Sequence, residues 1–343
     1  QELGSRAGHP SRSWRTHSAP AAPAAADPMP VPPAPSARSD AVFAPGLMQG
    51  KVLFVSGGGS GIGLGICLAF ARLGARVAIC GRTEAKLQEA SEAIRRAGAP
   101  EAMFVRADVR DPEAMKAAAD AVGQRWGKID VFVSNAAGNF MSLAEDMTPK
   151  AFATVLDIDL RGTFHGAQAA LPWLRRASAD GSGAIMISTS ATLQYKAMPF
   201  QGHAAAAKAG IDSLTKTLAA EWSHDGIRVV SIAPGPIENT EGGPTGRVFG
   251  ALAGRQDVRR VCPLGRYGTT DDIANTAVFL ASAGGNYITG TNVVVDGLNW
   301  QASGAADALA VKDKIRAAMQ QQRDSRARGS GSKGHEADKQ SRL

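Results

Sequence analysis

The run of glycine and serine residues from Ser56 to Gly63 is the segment best suited to hold a phosphate group. Gly57, Gly61 and Gly63 permit a tight turn and let the backbone approach a pyrophosphate closely. An apolar stretch typical of a strand precedes the run and a helical pattern follows it, so the phosphate would lie at a helix N-terminus. The run therefore predicts a dinucleotide site, although an ordinary glycine-rich turn remains the alternative.

A single basic residue at the end of the second apolar stretch, Arg82, bears on the choice of nucleotide. An acid at this point would bind the adenosine ribose and repel a 2′-phosphate, whereas an arginine attracts that phosphate. We therefore predict NADPH as the cofactor. Asp108 and Val109, after the third stretch, are expected at the adenine, and Asn135 and Ala136, after the fourth, beside the cofactor ribose.

These residues are positioned by short apolar runs that alternate with helical patterns, which is typical of parallel βαβ units. The predicted strands are Val52–Ser56, Arg76–Cys80, Ala102–Arg106, Val131–Asn135, Ala184–Ser188, Val229–Ala233 and Val293–Val295. The predicted helices are Gly63–Arg72, Glu84–Arg96, Pro112–Trp126, Phe152–Arg176, Ala204–Trp222 and Asp271–Ala281. Residues 48–300 are thus predicted to form one doubly wound α/β Rossmann domain with a seven-stranded parallel sheet, and no second domain.

Composition excludes several other classes of protein. The chain is 44% hydrophobic, but no run approaches the roughly 18 apolar residues of a membrane span. The net charge of +7 lies mostly in the two terminal segments, and no basic stripe with interleaved aromatic residues predicts nucleic-acid binding. The three cysteines are widely spaced, which favours a reducing compartment, and no cysteine or histidine spacing predicts a metal site.

Both terminal segments differ in texture from the predicted domain. Residues 1–45 are rich in Pro, Ala, Ser and Arg without apolar periodicity, so we predict disorder there. The segment is interpreted either as a cleavable organelle presequence or as dispensable, with Met29 as the effective start. Residues 301–343 are predicted to form a helix over Ala305–Gln322 and then a flexible tail.

The motifs together resemble the short-chain dehydrogenase/reductase superfamily. The resemblance rests on Gly57–Gly63, Asp108, Asn135–Gly138, Lys208 and Pro234-Gly235, in this order and spacing over residues 48–300. It implies a nicotinamide cofactor and a homodimer or homotetramer. The cofactor-binding residues that it implies are Gly57, Ser60, Gly61, Ile62, Gly63, Arg82, Asp108, Val109, Asn135, Ala136, Lys208, Pro234, Gly235, Ile237 and Thr240.

The catalytic tyrosine of that superfamily, four residues before the lysine, is missing. Ala204 stands there, no Tyr-x-x-x-Lys occurs in the chain, and Asp159 occupies the position of the catalytic asparagine. Reduction of a ketone needs an acid that protonates oxygen, which is the task of the tyrosine. Reduction of a conjugated C=C bond needs donors for an enolate-like charge and a proton for carbon. Asp159 and Lys208 are suited to the second reaction.

One subfamily shares this departure, namely the peroxisomal 2,4-dienoyl-CoA reductases, which reduce 2,4-dienoyl-CoA to trans-3-enoyl-CoA with NADPH. The resemblance lies in Asn135-Ala136-Ala137-Gly138-Asn139-Phe140, Asp157-Ile158-Asp159, His203–Lys208, Pro234–Ile237 and Thr240-Glu241-Gly242. It implies that Asp159 is the catalytic acid or holds the proton-donating water, and that Lys208 binds the nicotinamide ribose and orients that water. The substrate-binding residues that it implies are Phe140, which would line the acyl pocket, Arg110 and Arg247 for CoA, and Thr148 and Lys150 at the border of the substrate.

Alternatives remain open from the sequence. Ala204–Ala207 lacks the Gly/Ser residues of that subfamily, and Tyr195, in the loop before Lys208, is an alternative proton donor. Asp159 and Arg110 also fit structural or surface roles, and Phe140 fits the core equally well. The alternative functions are a trans-2-enoyl-CoA or 3-ketoacyl-CoA reductase, and a non-catalytic NADPH-binding scaffold.

The chain ends in Ser341-Arg342-Leu343, a small, a basic and a leucine residue. Such a tripeptide is typical of a peroxisomal address that an import receptor binds. We therefore predict a peroxisome or a glycosome-type organelle rather than a mitochondrion, with an acyl-CoA and that receptor as partners.

Overall fold

The computed structural model describes residues 37–181, 183–244, 246, 248, 258–302, 314–321, 323 and 324. Its centre is a seven-stranded sheet in the order β3-β2-β1-β4-β5-β6-β7, in which every neighbouring pair is parallel. The strands are β1 Val52–Ser56, β2 Arg76–Gly81, β3 Ala102–Arg106, β4 Val131–Ser134, β5 Ala184–Thr189, β6 Ile227–Pro234 and β7 Asn292–Val295. The predicted fold class is confirmed, and every strand lies within two residues of its predicted bounds.

The helices of the described residues cover both faces of the sheet. The α-helices described before residue 303 are α1 Ser39–Val42, α2 Gly61–Arg72, α3 Glu84–Arg96, α4 Pro112–Trp126, α5 Pro149–Leu156, α6 Gly162–Ser178, α7 Gly202–Trp222, α8 Val258–Val261 and α9 Thr270–Ala281. Residues of α2, α3 and α9 form one core with one face of the sheet, and residues of α4, α6 and α7 form a second core with the other. Along β1, Leu53 and Val55 point into the first core and Val52 and Phe54 into the second, because side chains alternate along a strand.

The topology determines where a ligand can bind. From β1 the chain moves outward to β2 and β3, and it then crosses back to place β4 on the other side of β1. At such a switch point the connections after two neighbouring strands leave in opposite directions, which opens a crevice at their carboxyl ends. Ser56 ends β1 and Ser134 ends β4, and the two residues are paired in the sheet. The glycine run and Asn135 therefore meet at this edge.

The predicted single helix Phe152–Arg176 is wrong in its regularity and its bounds. The structure has α5, then a π-helix over Asp157–Arg161, then α6. Thr148 begins α5, since its Oγ1 accepts a hydrogen bond from Ala151 N at 3.2 Å. A π-helix holds one extra residue in the turn and is common at functional sites. Hydrophobic periodicity along the chain does not predict this π-helix, because the residues of the π-helix make their contacts with other elements of the fold.

Part of the segment before β1 is ordered, although the sequence predicted that it is disordered. The predicted disorder of residues 1–45 is wrong for residues 37–45: Ser39 is fully buried, and its Oγ donates to Ala69 O at 3.1 Å. Asn275 Nδ2 donates to Ala37 O at 2.9 Å, which fastens the segment to α9. Residues 1–36 lie outside the described part of the chain.

The predicted C-terminal helix over 305–322 falls only partly within the described residues. Residues 314–321 are helical, in agreement with the prediction, whereas residues 303–313 lie outside the description. The terminal tripeptide Ser341-Arg342-Leu343 also lies outside it.

Candidate functional site

A cavity of about 740 Å³ runs along the carboxyl edge of the sheet. It brings together most of the residues that the sequence predicted for the cofactor and the chemistry. Those that line it are Gly57, Ser60, Gly61, Ile62, Arg82, Asp108, Val109, Asn135, Ala136, Asp159, Lys208, Pro234, Gly235, Ile237 and Thr240. Gly63 is buried behind the glycine loop and does not line the cavity.

The glycine loop has the geometry of a phosphate cradle. Gly57 has φ +70°, and a Cβ added there would lie 2.8 Å from the Cα of Ala136, so no larger residue fits without movement of backbone. Asn135 Nδ2 donates to Gly57 O at 3.1 Å and fixes the loop against the end of β4. Ser60, Gly61 and Ile62, at the start of α2, line the cavity, so the free N–H groups of that helix end are available to an anion in the cavity. The site therefore fits the pyrophosphate of a dinucleotide.

Two basic side chains and one carboxylate line the end of the cavity beside β2. The carboxylate is already paired with an arginine. Arg82 and Lys86 line this end of the cavity, and Arg106 Nε donates to Arg82 O at 3.3 Å. Asp108 also lines it, but Arg110 binds this carboxylate through several contacts, the shortest 2.6 Å. The hydrogen bond from Arg110 lowers the pKa of Asp108. This end of the cavity is thus suited to a phosphorylated ribose.

The central part of the cavity holds a buried ion pair. Lys208 Nζ, on α7, lies 3.1 Å from Asp159 Oδ2, which comes from the π-helix. The other carboxylate oxygen accepts a hydrogen bond from Gly138 N at 2.7 Å, and Lys208 Nζ donates to Thr189 O at 2.9 Å. Three elements and a loop therefore fix the two side chains in one place. A buried acid and ammonium so arranged can hold a water molecule or transfer a proton.

No phenol stands beside that pair. Ala204, one helical turn before Lys208, lines the cavity with its methyl group and is 2% exposed. Tyr195 does not line the cavity; its hydroxyl donates to Asp212 Oδ2 at 2.8 Å. Burial, with the hydrogen bond to Asp212, raises the pKa of Tyr195 to about 12. Tyr287 is fully exposed, and Tyr267, which the sequence reasoning missed, lines the cavity near Ile237.

The segment after Asn135 is held by a residue that sequence reasoning also missed, Gln201. This side chain is fully buried; its Nε2 donates to Phe140 O at 3.1 Å and its Oε1 accepts from Asn139 Nδ2 at 2.7 Å. Asn139 lines the cavity, whereas Phe140 packs on His203 with ring centroids 4.2 Å apart. Asn139 adjoins a recognised motif and was therefore open to prediction. Nothing in the sequence pattern marks Gln201.

His203 is fully buried behind Phe140. Neither ring nitrogen makes a hydrogen bond of acceptable geometry, although the Phe140 carbonyl is close enough to favour the charged ring. Burial outweighs that effect and the charge of Asp159, and it lowers the pKa of His203. A neutral His203 therefore packs as a largely apolar support for Phe140.

The predicted substrate residues do not converge on the cavity. Arg110 is turned to Asp108, and Thr148 and Lys150 lie at the exposed start of α5. None of these three, nor Phe140, lines the cavity, so their predicted contacts with substrate stay predictions. Arg247 lies outside the described residues.

In the described part of the chain, no group of three or more His, Cys, Asp or Glu side chains has the arrangement of a metal site. None of the helices in that part of the chain combines the length and the apolar character that crossing a membrane requires.

A Rossmann domain with a glycine cradle, a lysine on α7 and one cavity at the switch point defines a class of dinucleotide-dependent oxidoreductases. The profile described as Enoyl-(Acyl carrier protein) reductase matches residues 57–297. The chain belongs to the short-chain dehydrogenase/reductase family.

Its relatives include two proteins named peroxisomal 2,4-dienoyl-CoA reductase. The one from Arabidopsis thaliana is 42% identical over 270 residues, which cover 76% of this chain and 88% of the relative. The one from Saccharomyces cerevisiae is 41% identical and covers 75% and 86%. A solved short chain dehydrogenase from Bacillus anthracis is 39% identical, with a TM-score of 0.65, and covers 74% of this chain and 97% of its own.

Proposed function

We propose that the protein reduces a 2,4-dienoyl-CoA to a trans-3-enoyl-CoA with NADPH, as an auxiliary step in the β-oxidation of unsaturated fatty acids. The observation that carries the proposal is the Asp159–Lys208 contact of 3.1 Å beside Ala204. The pair supplies an acid and a cation where the family ordinarily has a phenol, and the two groups suit protonation of carbon better than protonation of a ketone oxygen.

The relatives support this reaction by their names. Peroxisomal 2,4-dienoyl-CoA reductases from plant, yeast and vertebrates are 36–42% identical to this chain over 85–88% of their own length. The family description also names an enoyl reductase, which acts on a C=C bond. A nicotinamide cofactor follows from the family, whose solved relatives include one in complex with NADP and one complexed with NADH.

The charges beside the end of β2 favour NADPH. Arg82 and Lys86 line the cavity directly after β2, and no carboxylate ends that strand. Asp108, which lines the same cavity, is already bound by Arg110. A 2′-phosphate would therefore meet two cations, whereas the ribose hydroxyls of NADH would lack the usual acidic partner.

Each functional group of the chain would have its own role in the reaction. The glycine loop and the N-terminus of α2 hold the pyrophosphate, and Lys208 is within reach of the ribose beside the nicotinamide. The bound cofactor supplies the hydride that adds to the far end of the conjugated system. The negative charge that develops on the thioester is stabilised by nearby donors, which include the Lys208 ammonium. Asp159, whose carboxylate accepts from Gly138 N, would hold a water molecule that delivers a proton to the α-carbon, and the hydroxide left behind would regain a proton from the solvent.

The proposal also assigns roles to residues around the substrate. Phe140 would border the acyl chain through movement of its ring off His203, with Thr148 and Lys150 at the edge of the substrate. Arg110 and Arg247 are proposed for CoA. We further propose a homodimer or homotetramer, and peroxisomal import through Ser341-Arg342-Leu343, in line with the relatives that are named peroxisomal.

The test is NADPH oxidation by the full chain with three thioesters of equal chain length in parallel: a 2,4-dienoyl-CoA, a 2-enoyl-CoA and a 3-ketoacyl-CoA. We expect turnover chiefly of the dienoyl thioester. Turnover of the ketoacyl thioester alone would overturn the proposal and would make Tyr267 the first phenol to replace with phenylalanine. Tight NADPH binding without turnover of any thioester would favour a binding scaffold.

A further inference from the structure

Gln201, at the N-cap position of α7, makes hydrogen bonds with both ends of its side-chain amide. Its Nε2 donates to Phe140 O and to Phe200 O, each at 3.1 Å. Its Oε1 accepts from Asn139 Nδ2 at 2.7 Å. A polar side chain at an N-cap commonly accepts from the first turn of its own helix, but the side chain of Gln201 does not. The amide is therefore engaged with neighbouring loops, chiefly the one that follows β4.

The two carbonyl groups determine which way round the Gln201 amide lies. A carbonyl oxygen can only accept a hydrogen bond, so the nitrogen of Gln201 must face Phe140 O and Phe200 O. The oxygen of Gln201 is then left to accept from Asn139. The Gln201 side chain is fully buried, so bulk water does not compete for these groups. This fixed set of bonds holds residues 139 and 140 against the start of α7.

The residue before Asn139 contacts the carboxylate of the buried ion pair. Gly138 N donates to Asp159 Oδ1 at 2.7 Å, and Asp159 Oδ2 lies 3.1 Å from Lys208 Nζ. Both side chains of the pair are buried. The position of residues 138–140 therefore bears directly on the position of the Asp159 carboxylate.

Gln201 and Lys208 lie on one side of α7. Lys208 comes seven residues after Gln201, which is close to two turns of an α-helix. The loop after β4 is bonded to the first of them and, through Gly138 and Asp159, contacts the second. Gln201, residues 138–140, Asp159 and Lys208 thus form a closed ring of contacts. A closed ring fixes its members more firmly than an open chain, because no member can shift without disturbing a contact on either side.

We infer that Gln201 is a positioning residue for the reduction, which closes this ring and thereby fixes Asp159 opposite Lys208; this inference rests on the proposed function. Gln201 does not line the cavity, so it acts through residues 138–140 and does not touch the substrate. A misplacement of about 1 Å can lower the rate of a reaction that depends on orientation about a hundredfold. Loss of the Gln201 bonds should therefore lower kcat and leave the binding of NADPH as it is.

The experiment compares Gln201→Met, a side chain of similar length without the amide, with Gln194→Met as the matched control. Gln194 lies in the loop before α7 and does not line the cavity, and its Nε2 donates to Asp212 Oδ2 at 2.6 Å. Both variants lose the hydrogen bonds of a glutamine, but only the first loses bonds to residues 139 and 140. Melting temperatures compare their stabilities. Gln201→Asn, whose amide is one carbon shorter and does not reach all three partners, is a second variant in case methionine does not pack.

Two quantities are measured on the full chain. Hydrogen exchange of the NADP-loaded protein reports how firmly residues 138–142 are held, and kcat for the thioester that is turned over reports the chemistry. We expect the N–H groups of residues 138–142 to exchange about tenfold faster in Gln201→Met, the effect of losing roughly one hydrogen bond. We expect kcat to fall about 10- to 100-fold, with the Kd of NADPH within about twofold of the wild type. Gln194→Met should match the wild type in exchange, kcat and Kd.

A second comparison is made without the Asp159 carboxylate. Because Gln201 is inferred to act through Asp159, Gln201→Met should lower kcat by less than about threefold when it is added to Asp159→Ala. Equal fold-losses of kcat in the two backgrounds, or unchanged exchange of residues 138–142, would overturn the inference. Hydrogen exchange needs no turnover, so an absence of turnover would contradict the proposed function while the exchange still tests the ring.

Discussion

The Tyr195 hydroxyl donates to Asp212 Oδ2 at 2.8 Å, and this contact belongs to a buried cluster that surrounds one carboxylate. Ser190 Oγ donates to Asp212 Oδ1 at 2.6 Å, and Gln194 Nε2 donates to Oδ2 at 2.6 Å. Asn292 Nδ2, on β7, donates to the Tyr195 oxygen at 3.1 Å. The phenol thereby joins the β5–α7 loop to α7 and to the edge strand, and its proton is directed away from the cavity.

Replacement of Tyr195 should affect stability more than chemistry. We expect Tyr195→Phe to lower the free energy of unfolding by about 1–3 kcal/mol, because the buried Asp212 loses a donor. kcat for the dienoyl thioester should stay within a few-fold of the wild type, with an unchanged pH profile. A hundredfold loss of kcat in a fully stable variant would identify Tyr195 as the acid after all.

Replacement of Asp159 should affect chemistry and spare the cofactor. We expect Asp159→Ala to lower kcat by two to four orders of magnitude, the usual contribution of a positioned acid, while the Kd of NADPH changes little. Asp157→Ala, in the same π-helix, removes a carboxylate that pairs with Arg161 and does not line the cavity, and it should keep most of the activity. If the Asp159 variant retains most of its rate, the proton comes from elsewhere, and Tyr267→Phe is the next variant to measure.

Replacement of Arg82 should change cofactor preference. We expect Arg82→Ala to raise the KM of NADPH about 10- to 100-fold, the effect of losing a charged partner of the 2′-phosphate, and to leave the KM of NADH nearly unchanged. Arg96→Ala, near the exposed end of α3, is the control for net charge. An equal rise in the KM of both nucleotides would mean that Arg82 stabilises the structure of the site and does not bind the 2′-phosphate.

The buried His203 should make the protein less stable in mild acid. Its pKa is lowered in the folded state, so the unfolded chain binds the proton more readily once the pH falls below about 6.5. We expect the free energy of unfolding to decrease between pH 7 and pH 5, and the slope to be shallower in His203→Leu. Equal slopes in the wild type and the His203 variant would contradict the prediction.

The sequence predicted the parts of this molecule that depend on local pattern. Strand bounds follow from runs of buried residues, and the meeting of Asp159 with Lys208 follows from topology together with family resemblance. The partner of Arg110 was not predicted, because the position of a residue in a motif does not indicate which neighbour binds its side chain. Gln201 was missed for a related reason, since its contact with Phe140 joins segments that are remote or unpatterned in sequence.

The π-helix between α5 and α6 has a consequence for how this chain can change in length. Successive residues of an α-helix are rotated by about 100° around its axis, so removal of one residue turns everything on one side of the cut relative to the other. Deletion of Ile158 would allow Pro149–Ser178 to close into one regular α-helix, at the cost of swinging either Asp159 or the buried face of α6 out of alignment. The segment is therefore intolerant of single-residue loss even though a more regular helix would result, and its length, more than its composition, is what holds the acid opposite Lys208.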